Sequence, residues 1–567
     1  MSISYIRYKI RYDGFLQTRL EHTQIMSKFT PFPLWDWDIP EYFNIGTACL
    51  DAHLGTPKAE QPAIIVEDDE LGVTQATYAE LAARSSRFAQ LLRNLGIAAG
   101  DRVLIRLPNS LDYPTAFLGT MKRGAISLPT STLLTPEEVL YLAKDSGARV
   151  LVTDKKAWRQ LAPKFEASNT IEYVILSGPG TVLEARNIRS LDLEFELGGI
   201  NAWEKPHATR AADPAYLVYT SGTTGYPKGV LHAHRSLLGR TPAAEYWFDF
   251  DKSGNDRIMH SGKFNWTYVL GSAMMDPLYR GKTVIVYEGK NDATTWPRLI
   301  AKHQASIFIG VPTIFRQIIQ KTGFVKEDVP TLRHCMSAGE HLSDDMLSLW
   351  RQRFGRDIYE AVGMSEFSYY LSQSLHRPIR PGSAGFPQPG HDIKLLDPET
   401  LLEVKAGEEG MICVPASDPG LFLSYWNLPE ETARLKHDGW FFTGDYARYD
   451  EDGYIWFLGR KDDIIKSFGY RVSPYEVERV MKSHPAVADC ACIGEEAEKD
   501  KLLVVAYVIV QAGADLTPDE LLAFGKEHLA AYKAPKAVYI AADFPRTKNG
   551  KILRRDIKPA LATNRSA

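Results

Sequence analysis

Cysteine is scarce in this sequence, with five in 567 residues. Cys49, Cys335, Cys413, Cys490 and Cys492 are scattered and odd in number. Neither a disulfide framework nor a paired C-x-x-C metal site is expected, and a reducing cytosol suits such a chain best. An excess of one charge is also lacking: 66 Lys and Arg stand against 70 Asp and Glu, a formal charge of -4. No global field draws the chain to nucleic acid or to an anionic lipid surface. Long apolar runs are missing too, since none approaches the ~18–20 residues of a membrane span. The amino terminus carries Arg7, Lys9, Arg11 and Asp13 where a secretory signal needs an apolar core. A soluble, cytoplasmic protein with no nucleic-acid partner and no membrane span is the expectation. The remaining composition, 44% hydrophobic and 24% charged with 42 Gly and 33 Pro, excludes disordered, collagenous and coiled-coil classes. The length calls for several structural units. Because Met26 precedes SKFTPFPLWDWDIPEYFNIG, residues 1–25 are read as an N-terminal extension or a misplaced start, outside the fold argument.

Segment 77–96 places Thr77 and Glu80 in capping-box spacing, with Leu81, Phe88, Leu91, Leu92 and Leu95 at helical intervals and Gly96 as a stop. It leads into the apolar run RVLIRL at 102–107. The same rhythm returns at ARVLVTD, YVILSG, AYLVYTS, KTVIVYEG and ASIFIGVP, with helical stretches between. Strands alternating with helices predict an α/β fold, a large N-terminal domain with parallel-type sheets flanked by helices. Ligands are expected where loops leave the strand carboxyl ends. From about 376 to 400 the chain turns to Pro and Gly, followed by the hairpin-like runs MICVPA and GYIWFLG, which read as a β-rich subdomain. Beyond Gly459, Ser473 and Glu476 form one capping box and Thr517 and Glu520 another, among apolar runs of strand type. This reads as a small α+β C-terminal domain. The boundaries are therefore 26–459 and 460–567.

The strongest local signal is YTSGTTGYPKGV at 219–230. An apolar strand enters a loop where Gly222, Gly225 and Gly229 let the backbone approach an anion. Thr220, Ser221, Thr223 and Thr224 offer hydroxyl donors there, and Lys228 adds positive charge. The composition suits phosphates. It is not a Walker P-loop, because Pro227 stands where the second glycine of that motif is needed. A Gly/Ser/Thr-rich surface turn is the bland alternative.

Four further segments follow in order: SAGEHL at 337–342, YEAVGMSE at 359–366, the stretch from Trp440 to Glu478, and PRTKNGKILRR at 545–555. With TSGTTGYPKG, they resemble the signature motifs of the adenylate-forming superfamily of acyl-CoA synthetases, firefly luciferase and peptide-synthetase adenylation domains. The resemblance implies ATP, Mg2+ and coenzyme A as cofactors. It places Asp445 and Arg460 on the ribose, and Ala338, Gly339, Glu340 and Glu360 around adenine, with Ser365 in the same nucleotide site. Glu366 then lies near magnesium, and Ser365 stands where threonine is usual but keeps the hydroxyl. Lys551 matches the catalytic lysine that bridges the attacking carboxylate and the α-phosphate, acting with Thr220 and Glu366. Asp462 matches the hinge of a mobile C-terminal domain, whose rotation brings Gly469 and Tyr470 to the thiol path.

The implied reaction is AMP-forming acyl-CoA synthesis by way of an acyl-adenylate. In HSGKFNWTYVLGS (260–272), Trp266 takes the place of a gating aromatic, and Tyr268, Val269 and Gly271 follow on an expected pocket-lining helix, with Gly363 also assigned to the acid. Similarity of PEYFN (40–44), this gate and the GYRVSP loop to medium-chain and aromatic-acid CoA ligases implies a medium-chain, alicyclic or benzoate-like acid. Trp266 as plain core is the alternative. A homodimer is compatible with all of this. Three other functions stay open at this point: a stand-alone adenylation enzyme loading a carrier protein, a luciferase-like oxygenase, and a nucleotide-binding regulator without catalysis.

Overall fold

The computed structural model describes residues 35, 37–166, 171–203, 205–220, 227–339, 342–460, 463, 465–467, 470–498, 501–546 and 552–558. The expected amphipathic helix spans Tyr78–Asn94 and begins on the reciprocal Thr77/Glu80 box. It buries Leu81, Phe88, Leu91 and Leu92, the residues at helical intervals. The apolar runs form strands Arg102–Arg106, Val150–Asp154, Tyr173–Ser177, Thr283–Glu288 and Ile307–Gly310. Burial of both faces accounts for their near-continuous apolar character.

These strands belong to two large sheets. An eight-stranded sheet is parallel from Pro214–Thr220 through Ile126–Pro129, Arg102–Arg106, Val150–Asp154 and Tyr173–Ser177 to Arg189–Asp192, with Lys228–Ala233 added antiparallel. A nine-stranded sheet has a parallel centre running from Ile358–Met364 to Pro62–Asp68, with antiparallel strands at both edges. One apolar cluster joins the helices Tyr78–Asn94 and Asp112–Lys122 to residues of both sheets, so their relative position rests on shared core. Residues 394–460 build a five-stranded antiparallel sheet, the β-rich unit expected from composition. Toward the carboxyl terminus, strands Val487–Glu498, Lys501–Val510 and Ala537–Ile540 pair beside helices Pro474–Lys482 and Pro518–His528, an α+β unit. Among the described residues no helix is long and apolar enough to cross a membrane, and all five cysteines are buried and unbonded.

One local expectation is corrected. Ser473 caps its helix by accepting from the Glu476 N–H, but Glu476 does not close a box. Its carboxylate is taken by Lys533 at 2.6 Å and Arg448 at 3.3 Å, two full charges that outcompete a backbone donor. The Thr517/Glu520 box forms as expected.

Burial gives the fold a pH dependence. Desolvation lowers His232, His234 and His260 from 6.5 to about 3 and His334 to about 4. Each stays neutral in the native state while the unfolded chain protonates it near 6.5. Their contribution to stability is therefore complete above pH 6.5 and is lost as pH falls through that window. Asp276, raised by burial to about 6 against 3.8 unfolded, has the opposite sign between those values, but the histidines outnumber it. Lowering pH from 7 to 5 is expected to reduce Tm, with net proton uptake on unfolding in calorimetry. A Tm that is level or rising over that range would contradict neutral buried imidazoles.

Candidate active site

Strands β1 (Pro214–Thr220) and β2 (Lys228–Ala233) are antiparallel neighbours with Thr220 opposite Lys228. The glycine- and hydroxyl-rich segment is thus tied at both ends, and both end residues line a cleft of about 1640 Å³. Ser221, Gly222, Thr223, Thr224 and Gly225 lie outside the described residues. Lys228 Nζ is 2.8 Å from Glu431 Oε2 and 5.8 Å from the centre of the Tyr425 ring, so an anion entering the cleft would compete with Glu431 for it. Gly229, expected to let the backbone approach an anion, is also closely packed. A Cβ there would meet Trp426 Cβ at 2.9 Å and Leu217 Cδ1 at 3.0 Å.

Strand β3 (His334–Ala338) runs parallel to β4 (Ile358–Met364), with Ala338 opposite Ala361 and Ser337 opposite Glu360. Ala338, Gly339 and Glu360 line the cleft; Glu340 lies outside the described residues. Gly339 has φ +99°, a conformation that strains any other residue, and a Cβ there would stand 3.9 Å from Trp266 Cη2. Glu360 is buried and accepts from the Leu342 N–H at 2.8 Å, so part of this carboxylate secures the turn after β3.

A hairpin joins β4 to β5 (Ser368–Ser372). Gly363 pairs with Tyr369, and a Cβ on Gly363 would lie 2.3 Å from the Ser368 carbonyl oxygen, so only glycine fits this bulged crossing. The turn presents Ser365 and Glu366. The Ser365 carbonyl accepts from His232 Nε2 at 2.8 Å, and the buried Glu366 accepts from the Tyr425 hydroxyl at 2.7 Å. Burial first, and Glu366 next, push the Tyr425 phenol up, which keeps it a donor.

Strands β6 (Trp440–Tyr449) and β7 (Ile455–Arg460) place Asp445 opposite Arg460, Oδ1 to Nε 3.5 Å. Asp445 is buried while the arginine reaches toward solvent. Burial opposes the Arg460 charge, but the fields of Asp445 and Glu366 outweigh it and raise the pKa. Both residues line the cleft.

Beside Gly339, Trp266 caps a continuous helical segment made of Thr267–Leu270, a π-turn at Gly271–Met275 and Asp276–Tyr279. Trp266 and Tyr268 line the cleft with rings 5.2 Å apart at 76°. Gly271 differs from expectation: it is buried behind Tyr369, whose Cε1 would lie 3.4 Å from a Cβ at that position. Tyr369, and not Gly271, is in the cleft lining.

In the carboxyl-terminal part, Asp462, Gly469 and Lys551 lie outside the described residues; Tyr470 begins a strand paired with Ile465–Ser467. Ile552 and Arg554 nevertheless line the same cleft. Arg546 bridges Ile552, and the Leu553 N–H donates to the Pro545 carbonyl at 2.8 Å, so the two ends of segment 547–551 are held together. Arg554 makes a two-pronged pair with Glu478 at 2.9 and 2.7 Å and lies 4.4 Å over the Tyr475 ring. Among the cleft residues that went unrecognised in the sequence are Tyr425, Glu431 and Tyr369. None of them carried a local signal: Tyr369 lies three positions beyond Glu366, a spacing that strand alternation puts on the opposite face.

Comparison with known proteins places this cleft in a nucleotide-dependent, acid-activating enzyme. Residues 54–426 match the AMP-binding enzyme family and residues 476–551 its C-terminal domain. The chain is 32% identical to a benzoate–CoA ligase of Thauera aromatica, over 92% of this chain and 97% of the relative. It is 31% identical to a 3-hydroxybenzoate–CoA ligase of Aromatoleum sp. (strain CIB), over 92% and 98%. The anthranilate CoA ligase AuaEII, solved with anthranoyl-AMP, superposes with TM-score 0.83 at 28% identity, covering 94% of this chain and 99% of that one. The chain belongs to the AMP-binding enzyme family, within the adenylate-forming superfamily. It is an AMP-forming acid–thiol ligase.

Proposed function

We propose that the protein activates an aromatic carboxylate with ATP and passes the acyl group to coenzyme A. The supporting observation is that one cleft is lined together by the ends of the phosphate-type loop, by the Asp445–Arg460 pair and by the aromatic wall Trp266, Tyr268 and Tyr369. On this reading the acid's oxygen attacks the α-phosphorus, pyrophosphate leaves, and the thiol then attacks the acyl carbonyl and displaces AMP. A free carboxylate has no viable leaving group, and adenylation supplies one. The protein contributes position and charge.

Thr220, Ser221, Thr223, Thr224 and Lys228 hold phosphates, with Gly222 and Gly225 giving backbone access. Asp445 accepts from the ribose hydroxyls beside Arg460, and Ala338, Gly339, Glu340 and Glu360 border adenine. Among the described residues no group of three or more His, Cys, Asp or Glu side chains forms a metal cage. The buried carboxylate of Glu366 fits magnesium, which takes few protein ligands and completes its shell with phosphates and water. Bound there, magnesium would neutralise phosphate charge. Residues 460–567 act as a domain hinged at Asp462, presenting Lys551 in the first step and the Gly469–Tyr470 loop in the second.

The test is AMP and pyrophosphate release over acetate, octanoate, cyclohexanecarboxylate, benzoate and substituted benzoates, with and without CoA. Thioester formation from an aromatic acid is expected. Pyrophosphate exchange that never yields a CoA thioester would instead select a carrier-loading enzyme, and nucleotide binding without pyrophosphate release would select a regulator.

A further inference from the structure

Residues 422–432 bridge two parts of the cleft that lie far apart in sequence. On one side the segment is bound to β2. Ser424 and Tyr425 pair antiparallel with Leu231 and Val230, the Trp426 N–H donates to the Gly229 carbonyl at 2.8 Å, and Glu431 reaches Lys228 Nζ at 2.8 Å. On the other side it holds Glu366 twice. The Phe422 N–H donates to the Glu366 backbone carbonyl at 2.8 Å, and the Tyr425 hydroxyl donates to Oε1 of the carboxylate at 2.7 Å. With the Ser365 carbonyl already held by His232, the backbone of this turn is secured without Tyr425. The phenol therefore acts on the carboxylate alone.

The two oxygens of Glu366 are in different states. Oε1 is taken by Tyr425, whereas Oε2 has no donor among the described residues and yet is not sealed in the core. Glu366 and Tyr425 both line the cleft, so their hydrogen bond lies at its wall. A carboxylate with one oxygen secured offers the other in a fixed direction. Magnesium, which demands near-octahedral geometry and takes only one or two carboxylates, needs such a fixed direction. Without the hydroxyl, Glu366 could turn about its last side-chain bond, and Oε1 would lose its donor. The Tyr425 ring also lies 5.8 Å from Lys228 Nζ, a contact that phenylalanine would keep.

We propose that Tyr425 is a positioning residue for adenylation, whose hydroxyl holds Oε1 of Glu366 so that Oε2 is presented to the magnesium of MgATP. The inference rests on the assignment of Glu366 to magnesium and adds the group that orients it. In this role Tyr425 touches neither the metal nor the substrate.

The experiment uses the full chain and a nonhydrolysable nucleotide, α,β-methylene-ATP. Its Kd is measured by calorimetry with excess Mg2+ and again in EDTA, for the wild type, Tyr425→Phe, Glu366→Gln and the double variant. Tyr425→Phe should weaken binding of the magnesium form about tenfold and leave the metal-free form within about twofold. In pyrophosphate release, the Mg2+ concentration giving half the maximal rate should rise about tenfold, while kcat at saturating Mg2+ and ATP stays within about threefold. Glu366→Gln should show the same selective loss, and adding Tyr425→Phe to it should cost no more than about twofold further, because the hydroxyl works through that carboxylate. Equal weakening with and without metal, or full additivity in the double variant, would mean that Tyr425 serves the fold or the phosphate loop and overturns the inference. Selective loss in Glu366→Gln but none in Tyr425→Phe overturns the positioning role and leaves the magnesium assignment standing. A magnesium form unaffected by Glu366→Gln overturns both.

Discussion

Lys551→Ala is expected to lower the rate of pyrophosphate release by about 10³-fold while leaving transfer of supplied acyl-AMP to CoA within about tenfold of wild type. The asymmetry follows from where charge moves. In the first step a carboxylate and a triphosphate, both anionic, must meet at the α-phosphorus, and negative charge shifts toward the leaving pyrophosphate. An ammonium held between the two reactants relieves their repulsion, and its effect grows as the cleft excludes water. In the second step the electrophile is an acyl carbonyl, already activated, and no such repulsion has to be overcome. Ile552, one residue on from Lys551, lines the cleft with Thr220 and Asp445, and the Leu553 N–H donates to the Pro545 carbonyl. Lys551→Arg should recover little, because a fork-shaped guanidinium cannot take the place of a compact point charge. Equal losses in both half-reactions would mean that the substitution damaged the lobe and not a bridging charge; an unchanged thermal transition alongside selective loss separates the two.

Much of this architecture is legible in the sequence wherever the deciding interactions are local. The Thr77/Glu80 and Thr517/Glu520 boxes form because cap and partner are three residues apart and nothing competes. Ser473/Glu476 has the same spacing and fails, because Lys533, 57 residues away, delivers a full charge to the same carboxylate. The partners of Lys228 and Glu366 were not legible. Glu431 reaches Lys228 across 203 positions and Tyr425 reaches Glu366 across 59, separations over which no periodicity carries information. Gly229 shows the converse limit: a glycine in a phosphate-type motif reads as access for an anion, yet in its strand it packs against Trp426, and only the assembled sheet reveals that. Tyr369 and Gly271 were separable only once β5 and the π-turn stood side by side.

Asp445→Asn is expected to reduce kcat/KM for ATP by about 10²-fold, since each charge-assisted hydrogen bond is worth about 1.5–3 kcal/mol, while KM for the acid stays within about threefold. Asp445 is buried at the end of a strand pairing that sets it directly opposite Arg460, with 3.5 Å between Oδ1 and Nε. A carboxylate there can accept from two adjacent ribose hydroxyls and still face the guanidinium. An amide keeps the shape but loses the charge and replaces one acceptor with a donor, so either Arg460 meets a second donor or a hydroxyl must turn from donor to acceptor. Loss of the Arg460 pair itself should matter little to folding, since the arginine is partly in solvent and such pairs are worth about 0–1 kcal/mol. A thermal transition close to wild type is therefore expected together with the ATP defect. Competition by AMP should weaken in parallel with ATP, because the ribose is common to both, whereas pyrophosphate inhibition should be untouched. If acid and ATP parameters fall together, or if AMP inhibition is preserved, the Asp445–Arg460 pair serves the fold of the β6–β7 hairpin and the ribose is held elsewhere.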